Sequence, residues 1–429
     1  MKFKNKTLLC KMSLALAPVA LLMTIQAASA DELEGLGAAI QGGKTNFSLK
    51  ARYETVETPT NGVGQAKAST LGYRFGYETG AYHDFAVNVQ AQGVWGNKQY
   101  ADGQLNSTQT PNLNTVNDPA GVNLSQAHLI YRGIADTTIK QGRQVIRYDD
   151  DRWVGNVDWR QNWQTYDATS ITNKSIADTT VQAAYVTNVN RPNTDGASAN
   201  GNAHMKSTLV NVNNKSLSFA DIVAYSYRLD YNTANQSLPT VMGSTNTSGV
   251  KLAKDGIDVA GFKLGWTGEM ASQKNFKQNA TNYTAKYTNI GASISGSLGK
   301  LTVAQETLGS DNGVGLQTPL ATLFAFNGWA DKFTVTPKNG LKDSYIRGRS
   351  TVAGIVVGAD FHQFKSDAFS LNLGREVDLI AEKDLDKNFA VGARAARYKA
   401  DTASVGTVTS TGINLVDTNK AWVYGTYKF

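Results

Sequence analysis

Cysteine is almost absent from this sequence of 429 residues. The one cysteine, Cys10, lies in an N-terminal segment that we expect to be removed. The mature chain can therefore hold no disulfide, no metal–thiolate site and no cysteine nucleophile. The four histidines have no metal-ligand spacing, and no Gly-x-Ser-x-Gly elbow or phosphate-binding loop is present. We therefore predict that the protein is not an enzyme and uses no cofactor and no metal.

Proline and long apolar runs are also scarce. The chain has 8 prolines against 40 glycines, and no Pro-rich linker or break in composition divides it. Outside the N-terminal segment, no apolar run approaches the ~20 residues that a membrane-spanning helix needs. The absence of a linker favours one continuous domain, although a soluble chain of this length would suggest two or three.

The N-terminus has the pattern of a secretory signal peptide. Four lysines precede an apolar run from Leu14 to Ile25, which ends in Ala28-Ser29-Ala30. We expect export by the general secretory route and cleavage of residues 1–30. Loss of those four lysines lowers the formal net charge from +7 to +3. Nothing in this charge distribution indicates nucleic-acid binding.

The remaining chain alternates between apolar and polar residues with a period of two, which is typical of β-strands. In FSLKARYET, apolar Phe47, Leu49 and Ala51 oppose Ser48 and Lys50. The final residues, NKAWVYGTYKF, alternate in the same way and end on an aromatic residue. An exported chain that alternates throughout but lacks apolar helices is typical of a transmembrane β-barrel.

Strand count and loop lengths specify the barrel further. We predict about 18 antiparallel strands between residues 46 and 429, although weak signals at 206–213 and 248–254 leave 16 possible. Short and long connections alternate along the chain except at 365–369, and this alternation is typical of short periplasmic turns and long extracellular loops. We therefore expect an all-β barrel in the lipid of the bacterial outer membrane. Residues 31–45 would be a short periplasmic segment, either helical or disordered.

The polar rows of the strands predict which side chains face the lumen, because the apolar rows would face lipid. Arg143 and Arg147 are ambiguous in phase, but a guanidinium facing lipid at the bilayer midplane costs roughly 2–4 kcal/mol. The predicted pore-lining residues are Lys50, Arg52, Arg74, Glu78, Arg143, Arg147, Arg228, Lys263, Glu269, Glu376 and Asp378. We expect the arginines to attract anions and the acids to moderate that preference, unless these charges only pair with one another.

Three segments resemble the alginate-export-like family of bacterial outer-membrane β-barrel porins. The first reads GRQVIRYDDDRWVGNVDWRQNWQTYDA from Gly142 to Ala168, and the second reads QTPLATLFAFNGWADKFTVTPKNGL from Gln317 to Leu341. The third is NLGREVDLIAEKDLDKNFAVGARAARYKAD. The resemblance implies a monomeric pore of eighteen strands.

The resemblance also directs attention to two long extracellular loops, at 149–163 and 310–342. We predict that one or both enter the barrel mouth and constrict it. The candidate constriction residues are Trp159, Arg160, Phe326, Asn327, Trp329 and Asp331. The expected function is passive diffusion of small polar or anionic solutes. Two alternatives are a dedicated export channel for an anionic polysaccharide of the alginate type, and a structural or adhesive barrel with a plugged lumen.

Overall fold

The computed structural model describes residues 30–59, 63–102, 112–193, 201–232, 243–277, 279–401 and 415–429. Eighteen antiparallel strands form one sheet. The predicted strand number is therefore confirmed, including both strands with weak signals. In chain order the strands are Lys44–Glu57, Ala66–Glu78, Phe85–Gly96, Gly121–Ile134, Thr137–Gln144, Thr165–Asn173, Thr179–Asn190, Asn202–Asn214, Asp221–Leu229, Thr245–Val259, Phe262–Asn275, Thr284–Gly296, Gly299–Leu308, Leu341–Val352, Ile355–Lys365, Asn372–Asp384, Phe389–Ala400 and Thr418–Lys428.

The sheet closes on itself through its first and last strands. Leu49 lies opposite Tyr427, and the amide and carbonyl of Phe47 exchange hydrogen bonds of 3.0 and 2.9 Å with those of Phe429. In hydrocarbon every backbone polar group must find a partner within the protein, and closure removes the unpaired edges. The C-terminal strand therefore completes the barrel with its last residue.

The connections alternate in length, as the sequence predicts. Tight turns such as 135–136, 260–261, 297–298 and 353–354 join the strands at the periplasmic end. Longer connections join most of them at the extracellular end, but 366–371 is as short as the periplasmic connections 79–84 and 215–220. Two of these, the first inward loop (residues 145–164) and the second inward loop (residues 309–340), turn back into the lumen.

Burial alternates along the strands and identifies the two faces of the wall. Outward side chains such as Phe75 and Trp95 are 56% and 66% exposed on the isolated chain, where no lipid covers them. Their inward neighbours, such as Arg74 and Gln92, are buried. The barrel thus has an apolar exterior and a polar lumen, the reverse of a soluble protein.

A helix precedes the first strand. It spans Ala30–Gln41, and the carbonyl of Ala39 accepts a hydrogen bond of 2.8 Å from the amide of Gly80. The helix therefore lies against the first periplasmic turn. Among the described residues, no helix is long and apolar enough to cross a bilayer. The proposed signal peptide lies almost wholly outside the described residues, so its cleavage stays a prediction.

Candidate functional site

The two inward loops contact each other inside the barrel. Val154 and Leu320 form a parallel bridge, and the amide of Gly155 donates to the carbonyl of Leu320 at 2.8 Å. A second backbone bond of 3.0 Å runs from the amide of Thr322 to the carbonyl of Asp151. The two loops therefore form one packed unit within the lumen, which we call the loop body, and any solute must pass beside it.

Arg152 connects this body to the wall. Its guanidinium donates to both carboxylate oxygens of Glu306, at 2.6 and 3.2 Å, and to Oδ1 of Asn327 at 3.2 Å. Burial alone would lower the pKa of Arg152, but the charge of Glu306 raises it above its ordinary value. Arg152 is thus a fully buried cation that joins the first inward loop, the second inward loop and a wall strand.

Three predicted pore-lining cations bind loop carbonyl groups instead of facing open lumen. Lys50 Nζ and Arg52 Nη1 donate to the carbonyl of Trp159 at 2.8 and 2.7 Å. Arg74 Nη1 donates to the carbonyl of Gln161 at 3.1 Å. All three lie on inward rows, but the first inward loop covers them. The expectation that Arg52 and Arg74 meet passing anions is therefore corrected.

Acidic side chains hold the second inward loop in a similar way. The amide of Ala330 donates to Glu376 at 2.6 Å, and the amide of Trp329 donates to Asp378 at 3.2 Å. Gly328 has φ of +83°, and a Cβ atom there would lie 2.6 Å from the Glu376 carboxylate. A glycine at this position is therefore required both by the backbone conformation and by the close approach to the wall.

Further ion pairs join the loops to the first and last strands of the barrel. Arg160 lies 3.3 Å from Glu54 and 3.2 Å from Asp331, and Lys420 lies 2.7 Å from Asp331. Asp331 thus bridges a cation of the first inward loop and a cation of the last strand. Burial would lower the pKa of Arg160, but Glu54 and Asp331 raise it.

Aromatic rings fill the space between the loops and the wall. Trp159 stacks on Phe324 at a centroid distance of 4.2 Å, and Phe324 stacks on Trp329 at 5.9 Å. The Arg394 guanidinium lies 4.6 Å from the ring centroid of Trp159 and 4.8 Å from that of Trp329. Glu382 accepts from Arg394 at 2.8 Å. The predicted constriction residues Trp159 and Trp329 therefore share one cluster with a wall arginine.

A cavity of about 670 Å³ remains between the loop body and the opposite wall. Residues of the second inward loop, Ala325, Phe326 and Asn327, line one side of it. Wall residues that line it include Lys251, Asn289, Lys300, Glu306, Asp343, Tyr345, Arg347 and His362. Its cations are paired: Lys251 lies 2.6 Å from Asp150, and Lys300 lies 2.6 Å from Asp255. This wall is polar and of mixed charge.

Three predicted lumen residues lie at different depths. Glu269 is buried and accepts from Trp153 Nε1 at 2.8 Å and from the Tyr225 hydroxyl at 2.6 Å. Glu78 and Lys263 lie on inward rows at the periplasmic rim, where they pair with Arg132 and Asp258. Only Glu269 is therefore near the loop body.

Three other predictions of pore-lining residues are wrong in position. The strand that carries Arg143 ends at Gln144, so Arg147 lies in the first inward loop, where it pairs with Asp151 at 2.5 Å. Arg143 lies on the outward row and donates to both oxygens of Asp167 at 2.7 and 3.1 Å. It lies one residue from the extracellular end of its strand, where an outward charge costs little.

Arg228 is also outward, because Tyr225 and Tyr227 occupy the inward row of its strand. The tyrosines face inward because their hydroxyl groups have polar partners there: Glu269 accepts from Tyr225, and the Tyr227 hydroxyl lies 3.0 Å from Nδ2 of Asn211. Arg228 lies next to the extracellular end of its strand, where its charged group can reach water.

One group of wall residues has the composition of a metal site. Asp360, His362 and Asp378 each place a possible ligand atom within 4.8 Å of the others. However, Asp360 is already bound by Arg347 at 2.8 Å and by Arg349, and His362 Nδ1 lies 2.9 Å from Asp343. Two guanidinium groups on one carboxylate disfavour a further cation. The group is better described as a polar network of the wall.

Sequence reasoning missed the loop residues Arg152 and Phe324 and the wall residues Glu306 and Arg394 that hold the loop body in place. Arg152 and Glu306 are 154 positions apart, so no local pattern connects them. The one available signal was the Arg-Trp pair that follows three aspartates in the first inward loop.

These features together define a bacterial outer-membrane β-barrel whose lumen is narrowed by its own loops. A family model described as alginate export matches residues 43–289, more than half of the chain. The chain therefore belongs to the alginate export family. The match includes the first of the three resembling segments, whereas the other two lie beyond it. The description of this family names export, which is a transport function.

Solved structures share the fold at low sequence identity. OccAB2 of Acinetobacter baumannii is 17% identical, with 92% of this chain and 100% of that chain covered and a TM-score of 0.69. OccK9 of Pseudomonas aeruginosa is 12% identical, with 91% and 99% covered and a TM-score of 0.67. OpdK of the same organism, solved with vanillate, is 10% identical, with 91% and 99% covered and a TM-score of 0.66. No curated protein matches the chain.

Proposed function

We propose that the protein is a passive diffusion channel for small polar solutes, including anionic ones. The observation that carries this proposal is the loop body, which leaves a polar cavity of about 670 Å³ beside it. That volume is in the range of pockets that hold small molecules. A lumen of eighteen strands without such loops would be a wide aqueous channel. The loops therefore act as a size filter.

The same loop body disfavours the alternative of a dedicated polysaccharide exporter. A polymer would need a continuous lumen, but the buried Arg152–Glu306 pair and the Trp159–Phe324 stack lie in its path. Opening the lumen would require both loops to leave together, because backbone hydrogen bonds join them. Breaking one buried ion pair alone costs about 3–5 kcal/mol.

The mixed charge of the cavity wall supports solutes that carry a carboxylate together with polar groups. Arg347 and Lys300 can each bind a carboxylate, while their acidic partners lie close enough to release it by exchange. The fold neighbour OpdK was solved with vanillate, which is a small carboxylate of this kind. Strong preference for anions is not expected, because the most buried cations bind the loops.

Two further proposals concern the mature molecule. Residues 1–30 form a cleaved signal, so the mature chain should begin at Asp31. The barrel works as a monomer, because one chain closes the sheet and encloses the lumen. N-terminal sequencing of the protein from outer membranes tests the first proposal, and the molecular mass of the detergent-solubilised protein tests the second.

The test of the channel proposal is electrical. The purified protein should give small, steady single-channel currents in a planar bilayer, and a reversal potential under a salt gradient should show weak charge selectivity. Liposomes that contain the protein should admit small carboxylates but exclude oligosaccharides longer than a few sugars. Absence of any current would support a plugged barrel, and passage of long anionic oligomers would support the exporter.

A further inference from the structure

The outer surface of the barrel carries a band of cationic side chains near the extracellular ends of the strands. These side chains lie on outward rows, within five residues of the end of their strand, and they alternate with buried inward residues. Those on the strands from Asn202–Asn214 to Phe389–Ala400 form what we call the outer cationic band: Lys206, Arg228, Lys274, Lys286, Lys342, Lys365, Arg375, Arg397 and Lys399. All except Lys342, which is half-buried, are exposed.

The band has no counterpart at the other membrane boundary. Within five residues of a periplasmic strand end, the one outward cation among the described residues is Lys383. The outward rows there carry aromatic side chains such as Phe262, Phe389 and Tyr427. Solubility does not explain this asymmetry, because both boundaries meet water. The two leaflets must therefore differ in the anionic groups that they present to a cation.

Register places several of these cations directly opposite one another. Lys342 lies opposite Lys365, and Arg375 lies opposite Lys399. Directly opposed side chains on one face of an antiparallel pair are about 5 Å apart at Cβ, and like charges there destabilise the sheet. Lys399 pairs with Asp417, but Lys342, Lys365 and Arg375 make no ion pair within the part of the chain that is described. An anion between these side chains would relieve their repulsion.

We propose that the outer cationic band binds the phosphate groups of an anionic lipid of the outer leaflet. Lys342, Lys365, Arg375 and Arg397 lie on four adjacent strands, which span roughly 14 Å at a spacing of ~4.8 Å per strand. That width is comparable to one phosphorylated disaccharide headgroup. The acyl chains would then lie on the apolar outward side chains below, such as Ile346 and Leu379. Guanidinium and ammonium groups both bind phosphate well.

The experiment is a titration of the detergent-solubilised mature protein with bis-phosphorylated lipid A, with bound lipid counted by native mass spectrometry. The triple variant K342Q/K365Q/R375Q removes three charges of the band. Each cation near an anionic surface contributes about 1 kcal/mol, so affinity should fall on the order of 100-fold. Lipid A without phosphates should bind the wild type as weakly as bis-phosphorylated lipid A binds the triple variant.

The control variant K383Q/K387Q/K428Q removes the same charge at the periplasmic end and should bind like the wild type. In neutral detergent the band variant should be at least as heat-stable as the wild type, because it loses like-charge repulsion. If it does not fold, the single variant R375Q should still show about a fivefold loss. Equal affinity of the band variant, equal binding of the dephosphorylated lipid, or an equal loss in the control would each overturn the proposal.

Discussion

Replacement of Arg152 by methionine should weaken the attachment of the loop body to the barrel wall. Arg152 is fully buried, and Glu306 would lose both of its guanidinium bonds. Removal of one partner of a buried ion pair costs about 3–5 kcal/mol. Glu306 keeps the Tyr287 hydroxyl at 2.6 Å and Asn327 Nδ2 at 2.7 Å, so we expect the lower limit, about 3 kcal/mol. The population of the open form should then rise at least 100-fold.

The assay is single-channel recording in planar bilayers. R152M should show larger conductance or frequent transitions to a larger level. The control is R147Q, which removes an arginine of the same loop whose side chain is 50% exposed and whose partners, Asp151 and Asp158, both belong to that loop. Among the described residues Arg147 makes no ion pair with the wall, so R147Q should conduct like the wild type.

A double variant makes the assay decisive. R152M/E306Q removes the uncompensated carboxylate and should return most of the conductance to the wild-type level, because an ion pair replaced on both sides costs little. Conductance of R152M that matches wild type and R147Q would refute the claim that this pair holds the loops. Equal increases in R152M and the double variant would show that lost packing, and not charge, is responsible.

Three other perturbations test separate contacts. Burial lowers the pKa of Lys332 to about 8, whereas displacement of the loop would restore the ordinary value of 10.5. The inward position of the loop therefore gains stability as pH rises from about 8 to 10.5, and channel openings should become rarer over that range. The variant K332M should remove this pH dependence. Gly328→Ala places a Cβ 2.6 Å from the Glu376 carboxylate and should raise conductance, whereas an unchanged current would contradict the close packing. Deletion of Phe429 removes both hydrogen bonds to Phe47 and should lower the heat-modifiable folded fraction on gels; a wild-type fraction would argue against its role in closure.

The strands were predictable from the sequence because their signal is local. Alternation with a period of two marks each strand, and the alternation of loop lengths fixes the order of turns. The phase was harder to assign. Around Arg143 and Arg228 both rows contain polar groups, so hydropathy does not say which row faces lipid. The inward tyrosines beside Arg228 are explained only by Glu269 and Asn211 on other strands.

The loop body could not be predicted in the same way. Alternation predicts that a loop exists, but contacts such as Arg152–Glu306 and Gly155–Leu320 join segments more than 150 positions apart. In these loops Trp153, Trp159 and Trp329 are buried, whereas Trp163 is half-buried. What they contact depends on closure of the whole barrel.

The groups that the lumen cations bind determine how strongly these cations can make the pore anion-selective. A wall rich in lysine and arginine predicts an anion-selective pore only if those charges reach the solute. The cations Lys50, Arg52 and Arg74 are instead buried against loop carbonyl groups. They therefore stabilise the loops and do not contact the solute. The charges that line the cavity, such as Lys251 and Lys300, carry acidic partners at 2.6 Å. Residue counts along the strands therefore overstate anion preference, and displacement of the loops should increase selectivity and conductance together.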